Sequence, residues 1–351
     1  MALALYHPDH GYYRREVPPW GFEGKDYYTA LDLGPLLGQA IALRLYQTWL
    51  SLDRPDPFTV FEPGAGRGWL GRDILQAAKG DFAECLRYIH CDDSPMARLE
   101  ARKALSPWLD ADAAKMLNQS DEPDDFIGAV ISNELFDALP AQPWRWDGEQ
   151  WKRETLVAIC DKDDSSCTQW EAADPGQAAC WFSQNAEGGL RPEDGSIWVE
   201  GLPDFLRQIC SHIKKGLFLT IDYGDAAPRL IARGADLRRY QGHTVDGKWW
   251  ASPGESDITA DVDFTRLALL LEQQGLMVEP PTSLGRWIRA RAPLSEWEAE
   301  WKSLPPPQRA ARTQNLMQLT LPTAMGDRFK VLMAEVIAKP PGNVVRQSGN
   351  F

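Results

Sequence analysis

Four residues after a short apolar run have the spacing of a ligand-binding turn: Glu62, Gly64, Gly66 and Gly68. Glycine lets a backbone turn sharply and approach a ligand without a Cβ clash. The spacing is GxGxG, whereas the GxGxxG pattern is the one that usually holds a dinucleotide pyrophosphate. The turn therefore favours a methyl-donor nucleoside, which has no pyrophosphate, over a nicotinamide dinucleotide. An unspecific turn between a strand and a helix is the alternative.

Acidic side chains follow the next predicted strand, at Asp92 and Asp93, with Ser94 directly after them. An acidic residue at the carboxyl end of this strand can accept hydrogen bonds from both ribose hydroxyls of a nucleoside. The alternative is that these residues cap the following helix. Glu62 is predicted to face the sulfonium or ammonium group of the ligand, or else to hold the glycine loop through backbone N–H groups.

A third group of polar residues follows a third apolar strand, at Asn133, Glu134 and Asp137. Open α/β sheets bind their ligands at the carboxyl ends of the strands, so these three are the candidate catalytic residues. The alternative is that Asn133 caps the next helix and the carboxylates complement its dipole. Asp222 and Tyr223 end another strand and are predicted to flank the channel that would bind the methyl acceptor. The other interpretation is that Tyr223 makes a structural hydrogen bond.

Alternating strands and helices must position these residues. Continuous apolar strands between amphipathic helices predict an α/β protein with a mostly parallel sheet that is covered on both faces. Predicted strands cover residues 58–61, 87–91, 126–132, 217–221, 276–279 and 329–338. Predicted helices cover residues 33–50, 69–78, 96–105, 204–214, 262–274 and, less regularly, 295–319.

These elements divide the chain into consecutive segments. We expect an N-terminal lid and helix (1–52), a Rossmann-like core (53–140), an inserted β-rich segment (141–200), a continuation of the core (201–224), a long substrate loop (225–261), completion of the core with a helical addition (262–338) and a disordered tail (339–351). The opening segment to Asp32 is expected to be ordered loop, and the insertion to consist of β-hairpins.

Composition excludes several classes of protein. A net charge of −13 without a Lys/Arg stripe argues against a nucleic-acid partner. Six cysteines without a CxxC pair indicate reduced thiols, and the histidines show no metal-binding spacing, so no metal is expected. No secretory signal or membrane-length apolar stretch is visible. We therefore expect a cytoplasmic protein without membrane insertion, whose oligomeric state is left open.

The chain resembles the MidA-like methyltransferases, whose mitochondrial members assist assembly of respiratory complex I. The matching segments are Leu5–Pro8, Gly11–Tyr13, Gly24–Ala30, Leu33–Pro35, the glycine loop, Asp92–Pro95, Asn133–Pro140, Ile221–Gly224, Asp257–Phe264 and Met325–Lys330. The most specific of them are Asn-Glu-x-x-Asp-Ala-Leu-Pro and Asp-Ile-Thr-Ala.

The resemblance implies a class I methyltransferase fold with a seven-stranded sheet, an antiparallel last strand and S-adenosyl-L-methionine as cofactor. Asp26, Tyr28 and Thr29 are expected to fold over the cofactor as part of an N-terminal lid, and a turn with ordinary aromatic packing is the alternative. For the mitochondrial branch the resemblance implies arginine methylation of a protein, so a respiratory complex I subunit is one expected partner.

These observations predict a protein-arginine methyltransferase in which Glu134 and Asp137 orient the acceptor and Asn133 positions it. A cofactor-binding assembly factor or scaffold without catalysis is the first alternative, and a methyltransferase for small molecules or other residues is the second. A nicotinamide dehydrogenase is more distant because the glycine spacing is wrong.

Overall fold

A central sheet of seven strands organises the computed structural model, which describes residues 1–15, 29–118, 120–158, 166–172, 176–242 and 244–337. The strands are numbered in chain order. They are β1 (Phe58–Pro63), β2 (Leu86–Cys91), β3 (Ala114–Leu117), β4 (Phe126–Asn133), β5 (Ile213–Asp225), β6 (Met277–Val278) and β7 (Phe329–Val336).

The sheet has the order β6-β7-β5-β4-β1-β2-β3. The pairs β3–β2, β2–β1, β1–β4 and β4–β5 are parallel. Strand β7 lies between β5 and β6 and pairs with both in antiparallel orientation. Two short strands, Val262–Asp263 and Thr282–Ser283, add to β5 and β7 respectively. This arrangement confirms the predicted class I methyltransferase fold with an antiparallel last strand. The sequence patterns missed β3, because it is a four-residue edge strand with only two fully buried residues.

Helices cover both faces of the sheet, as the apolar strands predict. Along β4, Ala129 and Ile131 pack in one buried cluster and Val130 in another, since successive side chains of a strand point to opposite faces. The α-helices are Ala2–Tyr6, Leu36–Ser51, Trp69–Ala77, Gly80–Cys85, Pro95–Ala104, Ser106–Asp110, Gln177–Asn185, Leu202–Cys210, Ala227–Ala232, Phe264–Gln273, Leu284–Arg291, Leu294–Trp301 and Pro306–Thr320. Short 3-10 turns span Tyr12–Arg14, Ala30–Leu33 and Phe136–Ala138, and a π-type turn spans Pro322–Gly326.

The segment inserted after β4 is a separate antiparallel sheet. Its strands are Gln142–Trp146, Trp151–Ala158, Ser166–Ala172 and Gly195–Trp198. The hairpins follow the prediction, but helix Gln177–Asn185 was not anticipated. Its buried Phe182 packs against two of the tryptophans, Trp151 and Trp198, and so closes a small core of its own.

The predicted long loop at 225–261 is corrected by the structure. It contains helix Ala227–Ala232 and a three-stranded antiparallel sheet of Arg238–Gln241, Thr244–Asp246 and Asp257–Thr259. These strands are three or four residues long, too short for a recognisable period. They are stabilised by pairing between residues that are distant in the chain, such as Arg238 with Thr259.

The N-terminal segment packs on this small sheet. It begins with helix Ala2–Tyr6 where loop was expected, and its Leu5 and Tyr12 are buried in a cluster with Trp249 and Ile258. Tertiary contact thus stabilises a five-residue helix that would be marginal alone. Within the described residues, no helix is both long and apolar enough to cross a membrane. The predicted tail (339–351) lies outside the described residues, which end at Ile337.

Candidate active site

A cavity of about 820 Å³ opens at the carboxyl ends of β1, β2, β4 and β5. The residues that the sequence analysis selected and that line it are Thr29, Glu62, Gly64, Gly66, Asp92, Asp93, Ser94, Asn133, Glu134, Asp137 and Tyr223. Asp26 and Tyr28 lie outside the described residues. Gly68 and Asp222 do not line the cavity.

The glycine loop needs its glycines for three different reasons. Gly64, Gly66 and Gly68 all have left-handed φ angles, of 66°, 51° and 69°. A Cβ on Gly64 would lie 2.6 Å from the Leu135 side chain, and one on Gly68 would lie 3.0 Å from Ala101 Cβ. A Cβ on Gly66 would meet no atom within 4 Å, so this glycine presents open backbone to the cavity. The prediction of Gly68 as a cofactor contact is therefore corrected, because its missing side chain makes room for the helix Pro95–Ala104.

Two side chains at the end of β2, His90 in the strand and Asp92 directly after it, bind backbone groups of Gly66. The Gly66 N–H donates to Asp92 Oδ2 at 2.9 Å, and the Gly66 carbonyl lies 2.8 Å from His90 Nε2. Asp92 Oδ1 accepts from the Ser94 N–H at 2.8 Å. Each Asp92 oxygen keeps a further lone pair for an incoming hydroxyl. Burial raises the pKa of Asp92 and lowers that of His90. Sequence patterns did not select His90, since a lone buried histidine has no distinguishing signal.

Glu62 lies under the glycine loop and is 2% exposed. It accepts a hydrogen bond from the Tyr88 hydroxyl. Burial and the Asp92 charge hold the pKa of Glu62 well above its usual range. A buried carboxyl group at this place can bind a cationic group of a ligand, which would favour its ionised form.

The loop after β4 collects the candidate catalytic residues. Asn133 Nδ2 donates to Glu134 Oε1 at 3.1 Å, and Glu134 also accepts from the backbone N–H of Ala30. Glu134 has a φ of 52°, a conformation that non-glycine residues seldom adopt and that clusters at functional sites. Burial and the neighbouring Asp137 charge raise the pKa of Glu134 to about 8.

Asp137 is 5% exposed and accepts a hydrogen bond from the Tyr223 hydroxyl. Burial raises the pKa of Asp137 to about 6. Two buried oxygen atoms here, Asn133 Oδ1 and Asp137 Oδ1, have no hydrogen-bond partner within the described part of the chain. A buried polar atom without a partner is costly, so these two acceptors suit a ligand that brings donors.

Asp222 was predicted to contact substrate, and the structure places it elsewhere. It is fully buried beneath the loop after β4. Its Oδ2 accepts from three consecutive backbone N–H groups, those of Leu135 (3.1 Å), Phe136 (2.9 Å) and Asp137 (3.3 Å). Because β4 and β5 are neighbours, the end of β5 can support the loop that follows β4. Asp222 is thus a positioning residue.

Three residues of the expected N-terminal lid segment line the cavity, Tyr6, Tyr13 and Arg14, although no sequence pattern selected them as site residues. Tyr6 donates to the Ala138 carbonyl at 2.7 Å, and Tyr13 donates to Asp257 Oδ1 at 3.0 Å. Arg14 donates to the Asp93 carbonyl at 2.8 Å. These contacts join segments more than 75 residues apart, which local patterns cannot reveal.

A second connection links Thr29 to the glycine loop. Thr29 and Asp32 form a capping box around the turn Ala30–Leu33, and Asp32 Oδ2 lies 2.9 Å from Arg67 Nη2. Both side chains of this ion pair are nearly buried, at 10% exposure for Arg67 and 4% for Asp32. The guanidinium of Arg67 also lies 3.8 Å from the centre of the Trp69 ring. The turn that donates to Glu134 is therefore tied to the cofactor loop.

These residues fit S-adenosyl-L-methionine. Gly66 provides an open backbone face, Asp92 has spare lone pairs for ribose hydroxyls, and Asn133 and Asp137 keep unpaired acceptors at the other end of the cavity. Among the described residues, no group of three or more His, Cys, Asp or Glu side chains could hold a metal ion. Sheet topology and site together define a class I S-adenosyl-L-methionine-dependent methyltransferase.

Comparison with known proteins gives the family. Residues 40–282 match the family described as "Putative S-adenosyl-L-methionine-dependent methyltransferase", and the chain belongs to that family. This confirms the resemblance seen in the sequence, and with it the cofactor. Curated relatives carry the name protein arginine methyltransferase NDUFAF7, mitochondrial, or its homolog. The Drosophila melanogaster protein is 27% identical over 95% of this chain and 79% of its own length, and the Danio rerio protein 24% over 94% and 81%.

A solved structure shows the same fold. A Burkholderia thailandensis protein, crystallised with S-adenosyl-homocysteine, has a TM-score of 0.83 at 24% identity and covers 97% of this chain and 87% of that one.

The expectation of a cytoplasmic protein is wrong by these comparisons. The curated relatives are named as mitochondrial proteins, and nothing among them supports a cytoplasmic location. Unpaired cysteines fit any compartment that keeps thiols reduced, so they could not select the cytoplasm.

Proposed function

We propose that this methyltransferase transfers the methyl group to an arginine side chain of a protein. The observation that carries the proposal is the pair of unpartnered buried acceptors, Asn133 Oδ1 and Asp137 Oδ1, beside the Glu134 carboxyl group. A guanidinium is planar, remains charged and has five N–H donors, so it suits several carboxylate and amide oxygens. The names of the curated relatives support the same acceptor.

The raised pKa values of Glu134 and Asp137 fit a cationic acceptor. Burial disfavours the charged form of both carboxyl groups, and at Glu134 the neighbouring Asp137 charge adds to the effect. A guanidinium placed between them offsets this cost and favours ionisation of both. The site is then complementary to arginine and unfavourable to neutral or anionic groups.

For methyl transfer, these residues must position the acceptor and accept its proton. The cofactor supplies an electrophilic methyl group on a sulfonium when it is bound. Glu134 and Asp137 hold the guanidinium and localise its positive charge away from the attacking nitrogen. Asn133 Oδ1 accepts an N–H of the same group and fixes its orientation towards the methyl carbon. The proton that leaves the methylated nitrogen passes to one of the carboxylates.

The identity of the acceptor protein stays a prediction. A respiratory complex I subunit is expected from the family resemblance alone, and the site itself requires only an arginine that can reach the end of the cavity.

Transfer of a labelled methyl group to protein tests the proposal. The full chain is incubated with methyl-labelled S-adenosyl-L-methionine and a cell extract, and labelled proteins are hydrolysed to amino acids. We expect label in methylarginine, with at least a tenfold loss in Asp137→Asn and full labelling in the control Asp204→Asn, whose carboxylate is 81% exposed.

Other outcomes decide for the alternatives. Label in small molecules or in another amino acid would establish a methyltransferase with a different acceptor. Tight cofactor binding without any transfer, in a folded preparation, would establish a non-catalytic binding protein.

A further inference from the structure

A second cavity, of about 620 Å³, adjoins the acceptor end of the active site. Arg328 lines both cavities, so its side chain belongs to the wall between them. The guanidinium groups of Arg328 and Arg238 lie 5.4 and 5.2 Å from the centre of the Tyr223 ring, which itself lines the active site. We call this second cavity the Arg328 groove. A protein chain that inserts an arginine beside Tyr223 would have its neighbouring residues close to this groove.

The Arg328 groove is lined by four cationic and four acidic side chains, and two of the cations, Arg328 and Lys330, make no ion pair with a described residue. Its cationic side chains are Arg233, Arg238, Arg328 and Lys330. Of its four aspartates, Asp225 is paired with Arg229 (3.5 Å) and Asp236 with Arg145 (3.5 Å), two arginines outside the groove.

The other two aspartates that line the groove are Asp261 and Asp327. Asp261 is shared by Arg233 at 2.5 Å and Arg238 at 2.8 Å, and these guanidinium groups, with the more distant Arg328, lower its pKa. Asp327 is exposed, and Lys330 donates to its backbone carbonyl. No ion pair joins Arg328 or Lys330 to a carboxylate of a described residue; Arg328 donates to the Tyr240 hydroxyl instead. Two cations therefore remain for a ligand.

These two cations lie in a chain whose net charge is −13. Acidic side chains lie at the acceptor end of the active site, and Arg328 and Lys330, without an ion pair among the described residues, lie in the groove next to it. Complementary charge sets the orientation and the partner of a protein complex more than its raw affinity. A substrate that matches both cavities has an arginine beside a carboxylate.

We propose that the Arg328 groove binds an acidic residue of the substrate protein that flanks the methylated arginine. This inference rests on the proposed function and specifies its substrate. The groove would select among arginines, which the buried carboxylates alone cannot do.

Peptide binding tests the inference apart from catalysis. Three fluorescent peptides share one sequence: the first has an arginine flanked by aspartates, the second has asparagines in place of the aspartates, and the third has citrulline in place of the arginine. Their affinities for the full chain are measured by anisotropy with saturating S-adenosyl-homocysteine. We expect the aspartate peptide to bind about 2- to 5-fold more tightly than the asparagine peptide at low salt, as exposed ion pairs allow, and the difference to shrink at high salt.

Charge reversal localises the effect. Lys330→Glu should abolish the preference for aspartate, and Lys330→Gln should reduce it, with melting temperature as the check on folding. The matched control is Lys215→Glu. Lys215 is an exposed lysine near the start of β5, at the end of that strand opposite to the active site. Control and wild type should show the same preference.

The two proposals fail separately. Equal affinity of the wild type for the aspartate and asparagine peptides overturns the role of the groove. Equal affinity for the arginine and citrulline peptides overturns the arginine acceptor. A preference for aspartate that survives Lys330→Glu places the selection outside this groove and also overturns the inference.

Discussion

The two ends of the active-site cavity differ in how far their polar atoms are already paired. At the cofactor end, Asp92 accepts from two backbone N–H groups and His90 Nε2 contacts the Gly66 carbonyl, while His90 Nδ1 is buried without a partner among the described residues. At the acceptor end, Asn133 and Asp137 each keep a buried oxygen without a partner among the described residues. The glycine loop is therefore held by side-chain hydrogen bonds, and unpaired acceptor oxygens remain where we propose that the arginine binds.

The difference has a physical cause. A cofactor that is the same in every cycle is best met by groups held in place beforehand, since less entropy is lost on binding. Catalysis gains from interactions that become strong only as the reaction proceeds, so acceptor-site groups that pair fully in the free protein would be a disadvantage. Variants at the two ends should accordingly separate cofactor binding from methyl transfer.

The largest expected effect is at Gly66. Gly66→Val places a branched side chain in the open face of the loop and forces a φ of 51° that valine avoids. Affinity for S-adenosyl-homocysteine, measured by calorimetry, should fall at least about 300-fold, or roughly 3.4 kcal/mol.

Gly80→Val is its matched control. Gly80 has a φ of 56°, and a Cβ there would also meet no atom within 4 Å, but Gly80 lies outside the cavity. The control should lose stability and keep the cofactor. Binding by Gly66→Val within tenfold of the wild type would contradict the assignment of the cofactor end.

Glu134 should show the reverse behaviour. Glu134→Gln removes the carboxylate that holds the acceptor, so turnover should fall about 100-fold while cofactor affinity changes less than about twofold. The ionised form is the active one, and the pKa of Glu134 is raised to about 8. Wild-type kcat/KM, which reports the pKa values of the free enzyme, should therefore rise between pH 7 and 9, and the rise should be absent in Glu134→Gln. Unchanged turnover would remove Glu134 from the reaction.

Substitution of Asp222 should lower turnover although Asp222 does not line the cavity. Asp222→Asn keeps one acceptor oxygen, so its NH2 group must face backbone N–H donors, either those of residues 135–137 or that of Tyr223. The buried donors left unsatisfied should cost about 1–3 kcal/mol of stability. We expect turnover to fall roughly 10-fold with cofactor affinity retained. Asp204→Asn, which removes an exposed carboxylate outside both cavities, is the control for a lost charge. Equal loss of cofactor affinity and turnover would show a general defect in folding.

The smallest expected effect is at the connection between the two ends. Asp32→Asn and Arg67→Gln each break the buried ion pair and should weaken S-adenosyl-homocysteine roughly 3- to 10-fold. A double-mutant cycle should give a coupling energy of about 0.5 kcal/mol or more, because the two side chains contact each other. Additive single effects would show that the pair does not support the cofactor loop.

Local patterns predicted the elements of the central sheet whose signals are continuous in sequence. β1, β4 and the glycine loop are examples, since a buried apolar strand followed by a glycine turn is visible without any partner. Sequence patterns predict a loop at the short strands Arg238–Gln241 and Asp257–Thr259, because the stability of these strands comes from pairing with each other. Asp222 was assigned to substrate for a related reason: a carboxylate at a strand end looks the same in sequence whether it faces a cavity or a neighbouring loop.

The sequence by itself determined an α/β fold, because apolar periods and a glycine turn are local properties of the chain, and its resemblance to a known family implied S-adenosyl-L-methionine as the cofactor. Only the tertiary structure decided which strand-end acids have a buried oxygen without a partner. Both oxygens of Asp92 and of Asp222 accept from backbone N–H groups, whereas Asp137 Oδ1 has no hydrogen-bond partner within the described chain. That distinction depends on hydrogen bonds between segments up to 87 residues apart, and no local pattern encodes it.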